Sequence, residues 1–235
     1  MTAQTIVRNT ISEQVFLELR RRIATGQLQP GERLRPDDIS RDLNVSQTPV
    51  KEAFLRLDAE GLVDTVPRRG TIVRRVSRRH TVELFRTREM IETWALRDGF
   101  ANDRITEDFL AAIGETVEEL SSAVANDRFV DIEKAMKADR SLHYLIVGLT
   151  GNSIMIDWYR RVMSQTEFIR LYATRPERAT ETETEHKEIY AALQSRDLDG
   201  TLLAIEEHFQ SACNSLLPII SAEKEEPEPE TDIAR

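Results

Sequence analysis

The chain has 235 residues, of which 40% are apolar and 31% charged, a balance typical of globular proteins. Its single cysteine, Cys213, excludes an intrachain disulfide framework, and no apolar run reaches the ~18 residues of a membrane span. The net charge of −9 is uneven, because residues 1–79 carry 15 Lys and Arg against 10 Asp and Glu, whereas residues 80–235 carry 17 against 31. The sequence therefore predicts a cytoplasmic protein whose amino-terminal third is basic enough to bind a nucleic acid.

The first third of the chain has the order helix, helix–turn–helix, basic hairpin. Apolar spacing and turn residues predict three helices over about residues 10–25, 36–43 and 47–59, and two short strands over 62–66 and 71–73. Ser46 is a suitable N-cap for the third helix, and residues 67–70 (Pro-Arg-Arg-Gly) form the tip between the strands. This order predicts a winged helix domain over residues 1–75.

The start of the third helix has the residue types that a DNA-reading helix needs. Such a helix presents short polar side chains at its amino end and has cations around it that meet phosphates. The side chains predicted to point outward are Ser46, Gln47, Thr48 and Lys51, and those that flank them are Arg33, Arg35, Arg41, Arg68 and Arg69. Any single arginine could equally belong to a solvated face. The combined pattern predicts double-stranded DNA as a partner.

Four motifs stand at fixed spacing within residues 10–75. They are Gly26-x-Leu28-x-Pro30-Gly31-x-x-Leu34, Leu43-x-Val45-Ser46-x-Thr48-Pro49-Val50-x-Glu52-Ala53, Leu57-x-x-Glu60-Gly61-Leu62-Val63 and Arg69-Gly70-Thr71. With these motifs the region resembles the GntR family of bacterial transcription regulators. The resemblance implies a homodimer on operator DNA, with the third helix in the major groove and the wing at the minor groove. The residues predicted to contact DNA are Arg35, Ser46, Gln47, Thr48, Lys51, Arg69 and Gly70.

Two positions depart from the family pattern. The family usually has arginine where this chain has Gln47 and Lys51. Glutamine pairs best with adenine and arginine with guanine, so we expect a shifted operator sequence and retained binding.

The rest of the chain is predicted to be helical. After a linker at 76–80, helices are predicted over 81–101, 106–124, 127–149, 152–173, 180–195 and 198–217. The acidic residues 218–235 are predicted to be disordered. The predicted fold class is thus mainly α, with an amino-terminal winged helix-turn-helix and, over 81–217, an all-α bundle of six or seven helices. Trp94 and Trp158 are interpreted as core or dimer packing, and we expect the dimer interface at the first helices of this bundle.

Three of the four histidines fall on helix faces that should point inward. Asp139 and His143 are four residues apart, so their side chains converge, while His186 and His208 each lie among apolar residues of another predicted helix. Burying one carboxylate and three imidazoles without partners is costly, and a divalent metal would remove that cost. Zn, Ni and Mn all suit these donors. The alternative for each histidine is a hydrogen-bonded core residue.

Arg88 falls on the apolar stripe of its predicted helix, in line with Leu84, Ile91 and Ala95. An inward arginine needs an anion. One interpretation is that Glu92, four residues on, is that anion; the other is that Arg88 binds the carboxylate of an effector with two hydrogen bonds.

Further short motifs are spread over residues 81–215. They are Leu84-x-x-x-Arg88-x-x-x-Glu92, Asp139-x-x-x-His143, Gly151-Asn152, Glu185-His186-x-x-Ile189 and His208. With these motifs the region resembles the FCD domain, the effector domain of the FadR subgroup of GntR regulators. The resemblance implies a divalent metal held by Asp139, His143, His186 and His208, and a small organic acid as effector.

The leading hypothesis is therefore a ligand-responsive transcription regulator, not an enzyme. One alternative is a metal-dependent hydrolase fused to a DNA-binding head, although the sequence contains no HExxH motif and no nucleophile elbow. The other alternative is an architectural DNA-binding protein with no ligand.

Overall fold

The computed structural model describes residues 10–66, 70–173 and 178–220. The helices are α1 Ile11–Ala24, α2 Pro36–Asp42, α3 Gln47–Ala59, α4 Arg78–Ala101, α5 Glu107–Ser122, α6 Ile132–Gly148, α7 Ser153–Tyr172, α8 Ala179–Gln194 and α9 Leu198–Leu216. The strands are β1 Arg33–Leu34, β2 Val63–Val66, β3 Gly70–Val73, β4 Val124–Ala125 and β5 Arg128–Phe129. This architecture confirms the predicted fold class. Among the described helices, none is both long and apolar enough to cross a bilayer.

The chain divides into two compact units, and the boundary near the predicted linker lies between Arg75 and Val76. In the first unit, α1 to α3 pack with a three-stranded antiparallel sheet of order β1-β3-β2. Ser46 occupies the N-cap position of α3 with extended backbone, but its side chain makes no capping hydrogen bond in the described structure. The core of this unit is formed by side chains that are fully buried, among them Leu19, Val50, Ala53, Leu57, Val63 and Val73.

Gly70 begins β3 at the wing, where only glycine fits well. Its φ of +93° is disfavoured for other residues, and an added Cβ would lie 3.2 Å from Nε of Arg33. A backbone requirement therefore explains Gly70 independently of any contact with DNA. Residues 67–69, which include the predicted DNA contact Arg69, lie outside the described residues.

The outer surface of α1 carries a cluster of ion pairs. Glu18 accepts hydrogen bonds from Nε of Arg21 at 2.9 Å and from Nε of Arg22 at 2.7 Å. These two bonds lower the pKa of the Glu18 carboxyl to about 2.

The second unit contains α4 to α6, α8, α9 and the part of α7 up to Thr166, and α4 starts earlier than the sequence pattern indicates. The hydroxyl of Ser77 accepts a hydrogen bond from the backbone N–H of His80, which caps the helix at Arg78. Three residues of the predicted linker 76–80 are thus helical. His80 is half-buried, and its Nε2 lies 2.8 Å from Oε1 of Gln165, so it is not a solvated linker residue.

A β-hairpin lies between α5 and α6, where helix was predicted. α5 ends at Ser122 and α6 begins at Ile132, and Val124 pairs with Phe129 across the hairpin. Asn126 and Asp127 both adopt positive φ, near +51° and +59°, as the tight turn of a two-residue hairpin requires. The predicted helices 106–124 and 127–149 were wrong at these ends, because the hairpin occupies the predicted gap at 125–126 together with residues on either side of it.

The helices of this unit pack against one another in several pairs. α4 packs against α6 and α9, α5 packs against α6 and α8, and α8 packs against α9. Most of the buried side chains are apolar, but several titratable ones lie among them: Arg88, Glu92, Asp139, His143, His186 and His208. Such groups are rarely buried without a partner or a role in binding.

Candidate functional site

The amino end of α3 presents a polar surface above an apolar one. Val50, Ala53, Phe54 and Leu57 are buried, whereas the opposite face exposes Ser46, Gln47, Thr48 and Lys51. Arg35, just before α2, is also exposed. The structure therefore brings together the predicted DNA-contacting residues that it describes on α3. Their contacts with DNA stay a prediction.

Carboxylates of α2 reach two of the polar side chains near this surface. Nε2 of Gln47 donates a hydrogen bond to Oδ1 of Asp37, and Arg41 forms an ion pair with Asp38. Since Asp37 accepts from the amide nitrogen, it favours the orientation in which Oε1 of Gln47 points away from α2.

The second candidate site is a cluster of four buried side chains from three helices. α6 supplies Asp139 and His143, α8 supplies His186, and α9 supplies His208. One ligand atom from each residue lies within 4.8 Å of the others. Nε2 of His186 is 3.3 Å from Oδ1 of Asp139, and Nε2 of His143 is 3.9 Å from the same oxygen. The fold thus gathers the residues that the sequence placed on three separate helices.

Each of the three imidazoles is held from outside the cluster through Nδ1. The three contacts are His143 Nδ1 to Glu92 Oε2 at 2.6 Å, His186 Nδ1 to the carbonyl oxygen of Thr182 at 2.7 Å, and His208 Nδ1 to Glu185 Oε2 at 2.9 Å. The carbonyl oxygen of Thr182 can only accept, and carboxylate oxygens accept when ionised, so these contacts favour the tautomer in which Nδ1 carries the proton and Nε2 keeps its lone pair. Histidines that bind metals in proteins are commonly oriented by such outer partners.

The electrostatics of the cluster favour the ligand form of histidine. Burial, together with the neighbouring His186 and His143, lowers the pKa of His208 to about 3, although the hydrogen bond to Glu185 acts in the raising direction. His208 is therefore neutral near pH 7, as a metal ligand must be. Burial raises the pKa of Glu185, but hydrogen bonds from His208 and Ser211 outweigh it and hold that pKa below its usual value.

The donor set fits a divalent metal. Within the described part of the chain, Nε2 of His186 is buried and has no hydrogen-bond partner, which is costly for an imidazole. Three imidazole nitrogens and one carboxylate oxygen are a common donor combination for Zn, Ni and Mn. A cation at the centre of the cluster would satisfy the lone pair of His186 and balance the charge of Asp139.

Arg88 lies beside the cluster and is only 1% exposed. Its Nε is 3.4 Å from Oε1 of Glu92, which also accepts from the hydroxyl of Tyr159. Its Nη2 has no hydrogen-bond partner among the described residues. Its Cζ lies 4.8 Å from the centroid of the Phe209 ring, which stacks on His143 at 5.5 Å. The contact with Glu92 thus exists, but it leaves part of the guanidinium unsatisfied next to the four candidate ligands.

The sequence indicated some of these outer partners and missed others. Glu92 and Glu185 stood inside the motifs, although neither was linked to a histidine. Tyr159 and Phe209 had no signal, since their contacts join helices that are distant along the chain. The bond from His186 to the carbonyl of Thr182 lies within α8, and it had no signal because every residue supplies a backbone carbonyl.

The two tryptophans are not core residues. Trp94 on α4 is 47% exposed and Trp158 on α7 is 71% exposed. The interpretation as core packing is therefore wrong, and packing in a dimer stays a prediction.

Two protein-family models match this chain. Residues 11–73 match the family described as "Bacterial regulatory proteins, gntR family", and residues 83–211 match the FCD domain, which covers more than half of the chain. The chain belongs to the GntR family of bacterial regulators, in its FCD-containing form. It is a DNA-binding transcription regulator. The matched families and relatives are transcription regulators, which contradicts the hydrolase alternative.

Three relatives show the extent of the similarity. The HTH-type transcriptional repressor RspR of Escherichia coli is 26% identical over 225 residues, which cover 93% of this chain and 95% of RspR. The solved structure of E. coli McbR/YncC is 25% identical, with a TM-score of 0.72, over 90% of this chain and 99% of that one. A GntR-type chain from Rhodococcus sp. RHA1 is also 25% identical, with a TM-score of 0.73, over 88% and 97%. The similarity to each of them spans both units of the GntR–FCD chain.

Proposed function

We propose that this GntR–FCD protein is a ligand-responsive regulator of the FadR subgroup whose FCD domain binds a divalent metal and a small organic acid. The observation that carries the proposal is the convergence of four buried donor groups whose histidines are all fixed through Nδ1. A core built only for packing has no need to orient three imidazoles toward one point.

The metal is assigned to Oδ1 of Asp139 and to Nε2 of His143, His186 and His208. A cation of charge +2 with one carboxylate and three neutral imidazoles leaves a net charge of about +1 at the site. When bound, the metal supplies a Lewis acid that attracts an anionic oxygen. The choice among Zn, Ni and Mn is set by geometry and by availability in the cell.

Arg88 is assigned to the effector. Its guanidinium is buried beside the cluster with Nη2 unsatisfied, so an incoming carboxylate would gain a charge-assisted hydrogen bond where the protein provides none. Phe209 lies between Arg88 and His143 and limits the effector to a small molecule. An organic acid that bridges Arg88 and the metal would alter the contacts of α4, α6 and α9 together.

We assign dimerisation to an apolar surface on α4 and α7. The two helices share an apolar cluster, in which Ile91 of α4 packs against the group formed by Val147, Tyr159 and Met163. The exposed apolar side chains on these helices are Met90, Trp94, Ile154 and Trp158. A second copy of this chain covers this surface, because a single winged helix domain offers too little contact for specific operator binding.

Trp158→Glu should give a monomer in light scattering with weakened operator binding, whereas Leu203→Glu, at another exposed apolar residue, should stay dimeric. A Trp158→Glu variant that remains dimeric would contradict the assignment.

The operator preference is assigned to α3. With Gln47 in place of the family's usual arginine, we expect adenine in preference to guanine at the contacted base. Operator selection with the wild-type chain and with Gln47→Arg tests this directly. Identical preferred sequences for both chains would refute the role of Gln47.

The function as a whole is tested by screening organic acids in thermal-shift assays with metal and with chelator, followed by operator binding in the same conditions. We expect some small carboxylates to raise the melting temperature in the metal form and to change operator affinity, since effector and DNA are thermodynamically linked. Arg88→Gln should retain the metal and lose the response to the acid. Operator affinity that is unchanged across metabolites and chelator would instead favour the architectural DNA-binding protein.

A further inference from the structure

Arg178 is joined to the candidate metal cluster through one carboxylate. This residue immediately precedes α8, and its Nη2 donates to Oε1 of Glu185 at 2.7 Å. The other oxygen of the same carboxylate, Oε2, accepts from Nδ1 of His208 at 2.9 Å. Glu185 therefore bridges an arginine on one side and a cluster histidine on the other.

The guanidinium of Arg178 is itself held from several directions. Nη1 donates to the backbone oxygen of Ser211 at 2.9 Å, Nη2 donates to the Ser211 hydroxyl at 2.8 Å, and Nε donates to Glu181 at 2.8 Å. Most of the Arg178 and Glu185 side chains is shielded from water, and His208 is buried. A charged pair that is shielded in this way is fixed in position, unlike an exposed surface pair.

The arrangement has a consequence for His208. An ionised carboxylate is a stronger acceptor for Nδ1–H than a neutral group, and it makes Nε2 more electron-rich. Without the hydrogen bond from Arg178, a carboxylate that is shielded from water would be less firmly placed. The strength of the bond to His208 therefore depends on the guanidinium at the other end of Glu185.

We infer that Arg178 is a positioning residue for the metal centre, which acts through Glu185 to orient His208 and to raise its affinity for the cation. This inference rests on the proposed metal function. By linkage, metal binding at His208 also strengthens the attachment of Arg178, at the start of α8, to Ser211 on α9. The metal would then stabilise a contact between two helices at a point outside its own ligand set.

The simpler role for Arg178 is to fasten the start of α8 to α9. The two roles differ in one measurable respect. A fastening role affects stability whatever residue occupies position 185, whereas a positioning role changes metal affinity only while the carboxylate of Glu185 is present.

A double-mutant cycle on the full chain separates them. Zn²⁺ dissociation constants are measured by competition with a chromogenic chelator for the wild type, Arg178→Gln, Glu185→Gln and the double variant. We expect Glu185→Gln to weaken Zn²⁺ binding by about 10- to 100-fold and Arg178→Gln by about 10-fold. In the Glu185→Gln background, Arg178→Gln should add less than about 2-fold, because its effect passes through the carboxylate.

Arg196→Gln is the matched control. Arg196 also bonds a backbone oxygen and a glutamate, namely Ile105 and Glu107, but within the described residues it forms no hydrogen bond or ion pair with the four ligands or their outer partners. It should leave the Zn²⁺ dissociation constant unchanged. Arg178→Lys keeps the charge without the planar fork and should bind Zn²⁺ with an affinity between those of wild type and Arg178→Gln, which provides a second variant if Arg178→Gln folds poorly.

The outcomes are distinguishable. A wild-type chain that binds no Zn²⁺ removes the proposed metal function and this inference together. Wild-type binding with unchanged affinity in Arg178→Gln, or equal losses from Arg178→Gln with and without the Glu185 carboxylate, overturns the inference alone.

Discussion

Replacing His186 by leucine should abolish most of the stabilisation by metal while changing the metal-free chain little. The imidazole of His186 is buried, and its Nε2 has no hydrogen-bond partner among the described residues, a cost of about 1–3 kcal/mol. Its Nδ1 bond to the carbonyl of Thr182 contributes about 0.5–1.5 kcal/mol in the opposite sense. Because the two terms largely cancel, a leucine of similar size should leave the metal-free protein within about 1 kcal/mol of wild type.

The metal-bound chain should behave differently. A ligand at 100 times its dissociation constant stabilises the native state by about 2.7 kcal/mol. For a chain of this size, 1 kcal/mol shifts the melting temperature by about 2–4 °C, so the wild type should gain about 5–11 °C from the metal. The His186→Leu variant loses one of four ligands and should gain only a small part of this.

The assay is thermal unfolding of wild type and variant, each with Zn²⁺ and each with excess chelator. His80→Leu is the control, since His80 is the one histidine outside the cluster and bonds to Gln165 instead. That control should keep the full metal-dependent shift. A wild-type melting temperature that is the same in metal and in chelator, or a His186→Leu variant with the full shift, would refute the reasoning.

Three further predictions concern packing, pH and DNA. Gly99→Ala should destabilise the chain by about 1–3 kcal/mol in urea unfolding, because the new Cβ would lie 2.8 Å from Cδ1 of Leu149. Gly148→Ala, in a helix with nothing within 4 Å of the added atom, should instead stabilise it by about 0.5–1 kcal/mol. The pKa of Glu18 is lowered to about 2, so its ion pairs stabilise the fold above about pH 4.5 and are lost as the pH falls toward 2. Between about pH 5 and about pH 3, the free energy of unfolding should therefore fall less for Glu18→Gln than for the wild type. Lys51→Gln should weaken operator binding and reduce the slope of log affinity against log salt by about 0.9, and an unchanged slope would contradict a phosphate contact.

The local patterns of the sequence were sufficient for most of the helices. α3 runs over Gln47–Ala59 as predicted, because a turn, a proline in the first turn and a following glycine are all local signals. The β4–β5 hairpin and the early start of α4 were missed. The hairpin has only four paired residues within a helical region, and strands this short have too few residues to show an alternating apolar pattern.

Helical phase likewise indicated that Asp139, His143, His186 and His208 face inward, but it gave no information on whether they meet. Their convergence depends on how α6, α8 and α9 pack against one another, which no spacing along the chain encodes. The same holds for Arg88. Its place on an apolar stripe could be predicted from the sequence. That Tyr159 and His143 also bond to its neighbour Glu92 could be seen only in the folded structure.

The sequence by itself determined which side chains are polar, which helix faces are apolar and which part of the chain is the DNA-binding domain, because these depend on residue type and on periods of a few residues. The tertiary structure alone decided that three imidazoles share one centre and that Glu92 and Glu185 lie against Nδ1 of His143 and of His208. Hydrogen bonds of this kind act over about 3 Å, and only packing brings residues such as Glu92 and His143, 51 positions apart, within that reach.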